Sequence, residues 1–260
     1  MRAHWPEYLM EAAELGLFML SACVFTTLLW HPASLAVAAL PDPTVRRLLT
    51  GIAMGVTAIA IVYSPLGKRS GAHFNPSVTL AFLRLRRVAP ADALFYVLAQ
   101  FAGGFAGVLA ARVLLGERLA HAAVRYAVTA PGATGPGIAF LAEFAISFGL
   151  MTVVLLVSNT PRLARYTGLF AGVLVAVYIG LEAPLSGMSM NPARTLGSAL
   201  PARSWTALWI YFTAPPLGML LAAEARVRLR GRVFCAKLQH DSPTRCIFCA
   251  WRAERPACRG

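Results

Sequence analysis

Two stretches of this 260-residue sequence are nearly the same. The first reads SGAHFNPSVTL at residues 70–80, and the second reads SGMSMNPARTL at residues 186–196. Six of the eleven positions are identical at an offset of 116 residues, and the hydropathy of the flanking sequence repeats at the same two places. The pattern indicates an internal duplication, with halves at about 1–125 and 126–225.

Each stretch contains the residues that start a helix. Asparagine is a preferred N-cap, and proline suits the first helical position. Asn75-Pro76 and Asn191-Pro192 therefore predict two short helices of about ten residues. A helix of that length measures about 15 Å, which is about half of the 30 Å hydrocarbon core of a bilayer.

The composition places most of the chain in lipid. Apolar residues make up 58% and charged residues 13%, and the mean hydropathy is +0.62. A soluble domain has about 25% charged residues, so a soluble monomer and a disordered chain are both excluded. Six stretches are apolar enough to span a bilayer, the second and fifth of them short: 8–30, 48–63, 91–115, 137–159, 166–181 and 205–224.

Three spans in each half place the second copy upside down relative to the first. The two short helices then meet at their N-termini near the bilayer centre, an arrangement typical of transport proteins. Irregular backbone at that depth is tolerated only when it lines a watery cavity or is buried in protein. We therefore predict an all-α membrane protein of six transmembrane helices and two re-entrant half-helices around a pore, with the amides of Asn75 and Asn191 facing the lumen and the positive helix ends opposing cations and protons.

The distribution of the net charge of +13 indicates how the chain is oriented in the membrane, rather than binding to nucleic acid. The basic residues lie in short loops and in the C-terminal segment, and not on one folded polar face. Seventeen of the 24 fall on the side that holds both termini and six on the other, with Arg194 assigned to neither. The positive-inside rule then predicts cytoplasmic termini in a cell inner (cytoplasmic) membrane. A cleaved signal peptide is not expected, because Glu7, Glu11 and Glu14 precede or interrupt the first apolar run.

Arg194 is the most informative single residue. An arginine at membrane depth is costly, but it is tolerable beside a water-filled constriction, where it offers donors to a neutral solute and repels cations. The alternative is an arginine that extends to the membrane interface. Its position three residues after Asn191 favours the constriction.

At these motifs the chain resembles the major intrinsic protein family, the aquaporins and aquaglyceroporins, over about residues 8–225. The resemblance rests on paired Asn-Pro boxes, with serine in place of the usual alanine in the first box, and on an arginine after the second. It implies a homotetramer with one pore per subunit, which conducts water or small uncharged solutes without a cofactor. The box residues are Asn75, Pro76, Ser77, Asn191, Pro192 and Ala193.

The family's narrow filter has four side chains, and the resemblance places them in part. Arg194 and Met188 correspond by motif. The second-helix position is Met54 or Gly55, and the fifth-helix position is Ile179 or Gly180. None of these candidates is the histidine of strict water channels or the aromatic residue of typical glycerol channels, so the sequence does not decide between water and glycerol.

The resemblance also assigns support of the half-helix loops to buried polar side chains. These are Glu143, one of Glu11 and Glu14, and His73 in the first loop. A proton-relay carboxylate is the alternative for the glutamates.

Residues 226–260 form no span and are interpreted as a basic cytoplasmic tail. Four arginines next to the last helix could meet anionic headgroups. Cys246 and Cys249 have a two-residue spacing that suits zinc or redox chemistry, and Cys235 and His240 are further weak candidates for a metal site. Cys258 is the fourth cysteine of this region. Lipidation, redox switching and the absence of any specific site are the alternatives.

Three functions follow from these patterns. The first is a passive channel for water or small uncharged solutes such as glycerol. The second is a coupled transporter or ion channel, since half-helix N-termini also bind anions. The third is a membrane sensor that acts through the cysteine-containing tail. An enzyme is not expected, because the spans contain no nucleophile–base set, phosphate loop or full set of metal ligands.

Overall fold

The computed structural model describes residues 4–240 and 246–250, and helices dominate them. Within these described residues, six helical segments are long and apolar enough to cross a membrane, as predicted. The second span is longer than the sequence suggested, because Asp42 caps it through Thr44 N at 2.7 Å and Pro43 begins it. The long helices are α1 (Trp5–Trp30), α3 (Pro43–Tyr63), α6 (Pro90–Leu115), α7 (Pro136–Val157), α8 (Thr167–Leu181) and α11 (Leu208–Arg228).

The two half-helices lie where the Asn-Pro pairs predict them. Helix α5 covers Pro76–Arg84 and helix α10 covers Pro192–Ala202. The other short helices are α2 (Leu35–Ala39), α4 (Pro65–Ser70), α9 (Ala183–Ser186) and α12 (Ile247–Ala250).

Helix packing repeats between the two halves. Helix α1 packs on α6 as α7 packs on α11, and the half-helices cross over, α5 onto α11 and α10 onto α6. Helices α3 and α8 pack on each other across the repeat boundary. A Cβ at Gly55 would lie 2.5 Å from Gly172 O, so glycine at this position lets the two helices approach closely. The packing therefore repeats in the way that the predicted duplication requires.

One end of the bundle is the tail side, defined by the start of α1, helix α4, the start of α6 and the end of α11. Arg69 Nε donates to Glu7 Oε1 at 2.9 Å there, and His4 Nδ1 lies 2.9 Å from Asp92 Oδ1. The opposite end is the far side, where the 3-10 turn Arg125–Ala127 and helix α9 lie near the start of α10.

The chain after α11 does not extend away from the bundle. Residues 235–239 are buried, and their hydrophobic side chains join the core cluster that contains Val62, Ala72 and Val78. Phe234 N donates to Asn159 Oδ1 at 2.7 Å at the end of α7. This docking was not predicted, since the sequence suggested headgroup contacts and a weak metal site for this region but no contact with the bundle.

Candidate functional site

The half-helices begin with side-chain caps. Asn75 Oδ1 accepts from Ser77 N at 2.8 Å. Asn191 Oδ1 accepts from Ala193 N at 3.0 Å and from Arg194 N at 3.1 Å. Both asparagines have the extended backbone of an N-cap and are buried, at 6% and 5% exposed.

The two asparagines also join the two halves to each other. Asn75 Nδ2 donates to Met190 O at 2.8 Å, and Asn191 Nδ2 donates to Phe74 O at 2.8 Å. The two bonds are related by the 116-residue offset. The sequence predicted that the amide NH₂ groups face the lumen. In the structure each amide gives one hydrogen to the opposite loop, which leaves one hydrogen for the cavity that both residues line.

The loops ahead of the half-helices have matching backbones. Residues 71, 72 and 74 have positive φ, and so do residues 187, 188 and 190 at the same offset. Gly71 and Gly187 accept this conformation readily, at φ +108° and +80°, because they have no Cβ. The other four positions are non-glycine residues held there by their surroundings.

In the first loop two carboxylates supply the hydrogen bonds. Glu11 accepts from His73 N at 2.9 Å and from Phe74 N at 2.7 Å. Glu14 accepts from Ser70 Oγ at 2.6 Å. Glu11 is therefore the counterpart of Glu143, a point that the sequence left open.

In the second loop Glu143 makes all three corresponding contacts. It accepts from Ser186 Oγ at 2.8 Å, from Ser189 N at 2.6 Å and from Met190 N at 2.8 Å. Since these carboxylates bind loop N–H and hydroxyl groups, the structure supplies a structural use for each of them.

Two cavities meet between the half-helices and the far side. The inner cavity, of about 90 Å³, contains both cap asparagines in its wall. The outer cavity, of about 410 Å³, opens on the far side. Their walls share Ala22, Met54, Ile179, Met188 and Arg194, which we call the neck.

The neck contains one residue of each pair that the sequence left open. Met54 and Ile179 belong to both cavity walls, whereas Gly55 packs on the backbone of α8. A Cβ at Gly180 would meet the Leu48 side chain at 2.9 Å, between α8 and α3. Met54 and Ile179 thus line the neck and their neighbours Gly55 and Gly180 do not, because a one-residue step on a helix turns the side chain by about 100°.

Arg194 is partly buried and reaches both cavities from the first turn of α10. Its guanidinium donates to the hydroxyl of Thr129, which comes from the loop between α6 and α7. Neither Thr129 nor Ala22 was singled out by sequence reasoning, since neither belongs to a motif.

The tail side of the inner cavity is bordered by the segment after α11. Leu238 lies in the cavity wall, and Leu238 N donates to Gly71 O at 3.1 Å. His73 Nε2 donates to Ala236 O at 2.8 Å, and the Phe248 ring stacks on His73 with centroids 5.6 Å apart. The first loop is thus in direct contact with the C-terminal segment.

The weak metal candidates come together in the same segment. Ligand atoms of Cys235, His240, Cys246 and Cys249 all lie within 4.8 Å of one another. Cys258, which the sequence grouped with them, lies outside the described residues.

Six spans around two opposed half-helices and two adjoining cavities define an inverted-repeat membrane protein. The profile of the major intrinsic protein family matches residues 4–225, so the chain belongs to that family. This confirms the resemblance found in the motifs.

Named relatives agree with the assignment. The chain is 41% identical over 177 residues to Aquaporin NIP3-1 of Zea mays, covering 66% of this chain and 57% of the relative. It is 36% identical over 194 residues to Glycerol uptake facilitator protein-like 6 of Lactiplantibacillus plantarum, covering 74% of this chain and 84% of the relative. The match to the maize protein thus spans less than two thirds of that protein's length.

A solved structure has the same fold. The aquaglyceroporin from Plasmodium falciparum superposes with a TM-score of 0.70 at 19% identity, covering 87% of this chain and 97% of that chain. The predicted aquaporin-like architecture is confirmed at the level of the fold.

Proposed function

We propose that the protein is a passive transmembrane channel for water and small uncharged solutes such as glycerol, which excludes ions and protons. The observation that carries this proposal is the neck, where the two cavities share one arginine and four apolar side chains. Family membership and the names of the relatives support it.

The chemistry of the neck suits a solute with a polar and an apolar side. Arg194 offers fixed N–H donors to a hydroxyl or water oxygen. Met54, Met188 and Ile179 give the opposing wall a flexible, apolar surface that fits a carbon chain. The positive guanidinium adds a barrier to cations.

The cap asparagines interrupt a chain of hydrogen-bonded water. Each Nδ2 has one hydrogen left after its bond to the opposite loop, so two donors face a passing oxygen at the same level. A water held in this way cannot relay a proton along the file. The N-termini of α5 and α10 point toward the same level and oppose hydronium.

Osmotic swelling of proteoliposomes tests the proposal. One preparation is exposed in parallel to water, glycerol, urea and ammonia, and an internal pH dye reports proton leakage. We expect fast water and glycerol flux with low activation energy and proton leakage equal to that of empty liposomes. Arg194→Ala should change the selectivity, whereas Arg162→Ala, at an exposed arginine outside both cavities, should not.

Two results would contradict the proposal. Swelling no faster than in empty liposomes would exclude a channel. Solute flux that follows an imposed pH gradient would favour the coupled transporter instead.

We further propose that the channel domain covers residues 1–225, with halves at about 1–125 and 126–225, followed by a tail at 226–260. The assembly is a homotetramer with one pore per subunit, in the cell inner membrane with both termini cytoplasmic. The pattern of basic residues supports the orientation. Protease accessibility in inside-out and right-side-out vesicles tests the orientation, and cross-linking in native membranes tests the oligomer.

A further inference from the structure

Four potential metal ligands converge at the tail side of the bundle. Cys235 Sγ lies 3.6 Å from Cys246 Sγ and 3.6 Å from Cys249 Sγ. Cys249 Sγ lies 3.5 Å from His240 Nε2. Cys235 and Cys246 are 8% and 9% exposed, so the centre of the cluster is shielded from water.

These three separations are close to the edges of a zinc tetrahedron, and the remaining pairs of ligand atoms lie within 4.8 Å. Zn–S bonds of about 2.3 Å and Zn–N bonds of about 2.0–2.1 Å give S···S edges of about 3.8 Å and S···N edges of about 3.5 Å. Three sulfurs and one imidazole are a typical ligand set of a closed, structural zinc site. Calcium and magnesium prefer oxygen ligands and do not fit this set.

The chemical states of the ligands are compatible with a metal in reduced protein. Cys235 and Cys246 are free thiols. Cys249 is disulfide-bonded, so it must be reduced before it can bind a metal. A phosphine does this by becoming a phosphine oxide, while one water supplies the oxygen and the two thiol protons.

The residues between the ligands are those that touch the channel. Ala236 O and Leu238 N, which lie between Cys235 and His240, bond to the first loop. Phe248, between Cys246 and Cys249, stacks on His73. An ion held by these ligands would fix both contact segments at once, as structural metals do in small domains without a large core of their own.

We propose that Cys235, His240, Cys246 and Cys249 bind one zinc ion, and that this ion holds Leu238 across the tail-side mouth of the inner cavity and reduces conduction. The conduction half of the proposal rests on the channel function proposed above. The zinc half does not depend on it.

Metal analysis tests the site without any transport. The full-length protein is purified in detergent with a phosphine reductant, incubated with zinc chloride, freed of excess metal and analysed by plasma mass spectrometry. We expect about one zinc per chain in the wild type and a loss to less than about a tenth in Cys246→Ser. Cys23→Ser, at the isolated cysteine of α1, should retain the metal.

Zinc content below a tenth of one ion in the reduced wild type would overturn the site. Preferential retention of iron or copper from a mixture would overturn its assignment to zinc. An equal loss of zinc in Cys23→Ser would show that the metal was bound elsewhere.

We call residues 235–239, with Leu238 across the mouth of the inner cavity, the plug. Amide hydrogen exchange and water flux test whether zinc holds it in place. Zinc should slow amide exchange of residues 235–239, and a chelator should reverse this. If the plugged state is about 90% populated, chelation should raise water flux about tenfold. Leu238→Gly should raise the flux while retaining zinc.

The two proposals fail in different ways. Exchange that zinc does not change would overturn the plug, whatever the flux. If zinc slows exchange but neither wild type nor Leu238→Gly swells faster than empty liposomes, the proposed channel function is contradicted. The proposal that zinc holds the docked tail is then still supported. If both conduct equally, with and without zinc, the control of conduction is wrong.

Discussion

The two half-helix loops have matching backbones but are held by different sets of side chains. Glu143 alone makes the three contacts that Glu11 and Glu14 divide between them in the first loop. Residue 73 is a histidine bonded to the C-terminal segment, whereas its counterpart Ser189 bonds within its own half to Thr195.

Features that the two loops share are those that the fold requires. Features found in one loop only belong to the function of one side of the channel. The required part is a carboxylate behind each loop and a capping asparagine at each tip. The added parts are Arg194 on the far side, where the first half has Val78, and the His73 contact with the tail on the other.

The largest expected effect comes from removing the carboxylate that acts alone. Glu143→Ala leaves three buried donors unpaired, so we expect the free energy of unfolding to fall by about 3–5 kcal/mol. Glu14→Ala leaves one hydroxyl unpaired and should cost about 1–2 kcal/mol. Thermal unfolding in detergent measures both. Equal losses would mean that the two loops are supported alike after all.

The caps should show a smaller difference of the same kind. Asn191 Oδ1 accepts from two N–H groups and Asn75 Oδ1 from one. We expect Asn191→Ala to cost about 2 kcal/mol and Asn75→Ala about 1 kcal/mol. The same unfolding measurement compares them. A larger loss in Asn75→Ala would contradict this account of the caps.

Replacing Arg194, which distinguishes α10 from α5, tests whether the far side sets the selectivity. Arg194→Val gives α10 the residue that α5 has at this position. Removing the positive charge at the neck should raise proton leakage and glycerol flux about tenfold, which corresponds to about 1.4 kcal/mol in the barrier. Swelling and pH-dye assays measure these rates, with Arg162→Val as the control. Unchanged selectivity would place the filter elsewhere.

Sequence reasoning predicted the parts of the fold that local chemistry specifies. The Asn-Pro pairs and the apolar runs give the half-helices and spans to within a few residues, because capping and hydropathy act locally. The choice between Met54 and Gly55 could not be made, since it depends on how far α3 is rotated about its axis against α8. Thr129 could not be found either, because its hydroxyl meets Arg194 only through folding of a loop without a motif.

The docked tail was missed for a related reason. Leu238 N bonds to a backbone carbonyl, that of Gly71, and any residue except proline could supply such a donor. The cysteines gave a spacing but no indication that their segment returns to the first loop. A contact made by main chain leaves little trace in the side-chain pattern.

The smallest expected effect concerns the contact between His73 and the C-terminal segment. The test makes the first loop resemble the second. His73→Ser copies residue 189, and a serine can still bond to Thr79 as Ser189 does to Thr195. The variant loses the bond to Ala236 O and the stacking on Phe248, so docking of the tail should weaken by about 1 kcal/mol.

The stability of the helix bundle should change by less than about 0.5 kcal/mol, because the Glu11 bonds to the loop backbone are kept. Hydrogen exchange of residues 235–239 should then speed up about fivefold while that of α1 and α6 is unchanged. If both regions exchange faster together, His73 supports the fold of the loop itself, as Glu11 does. Its role would then not be specific to the tail contact.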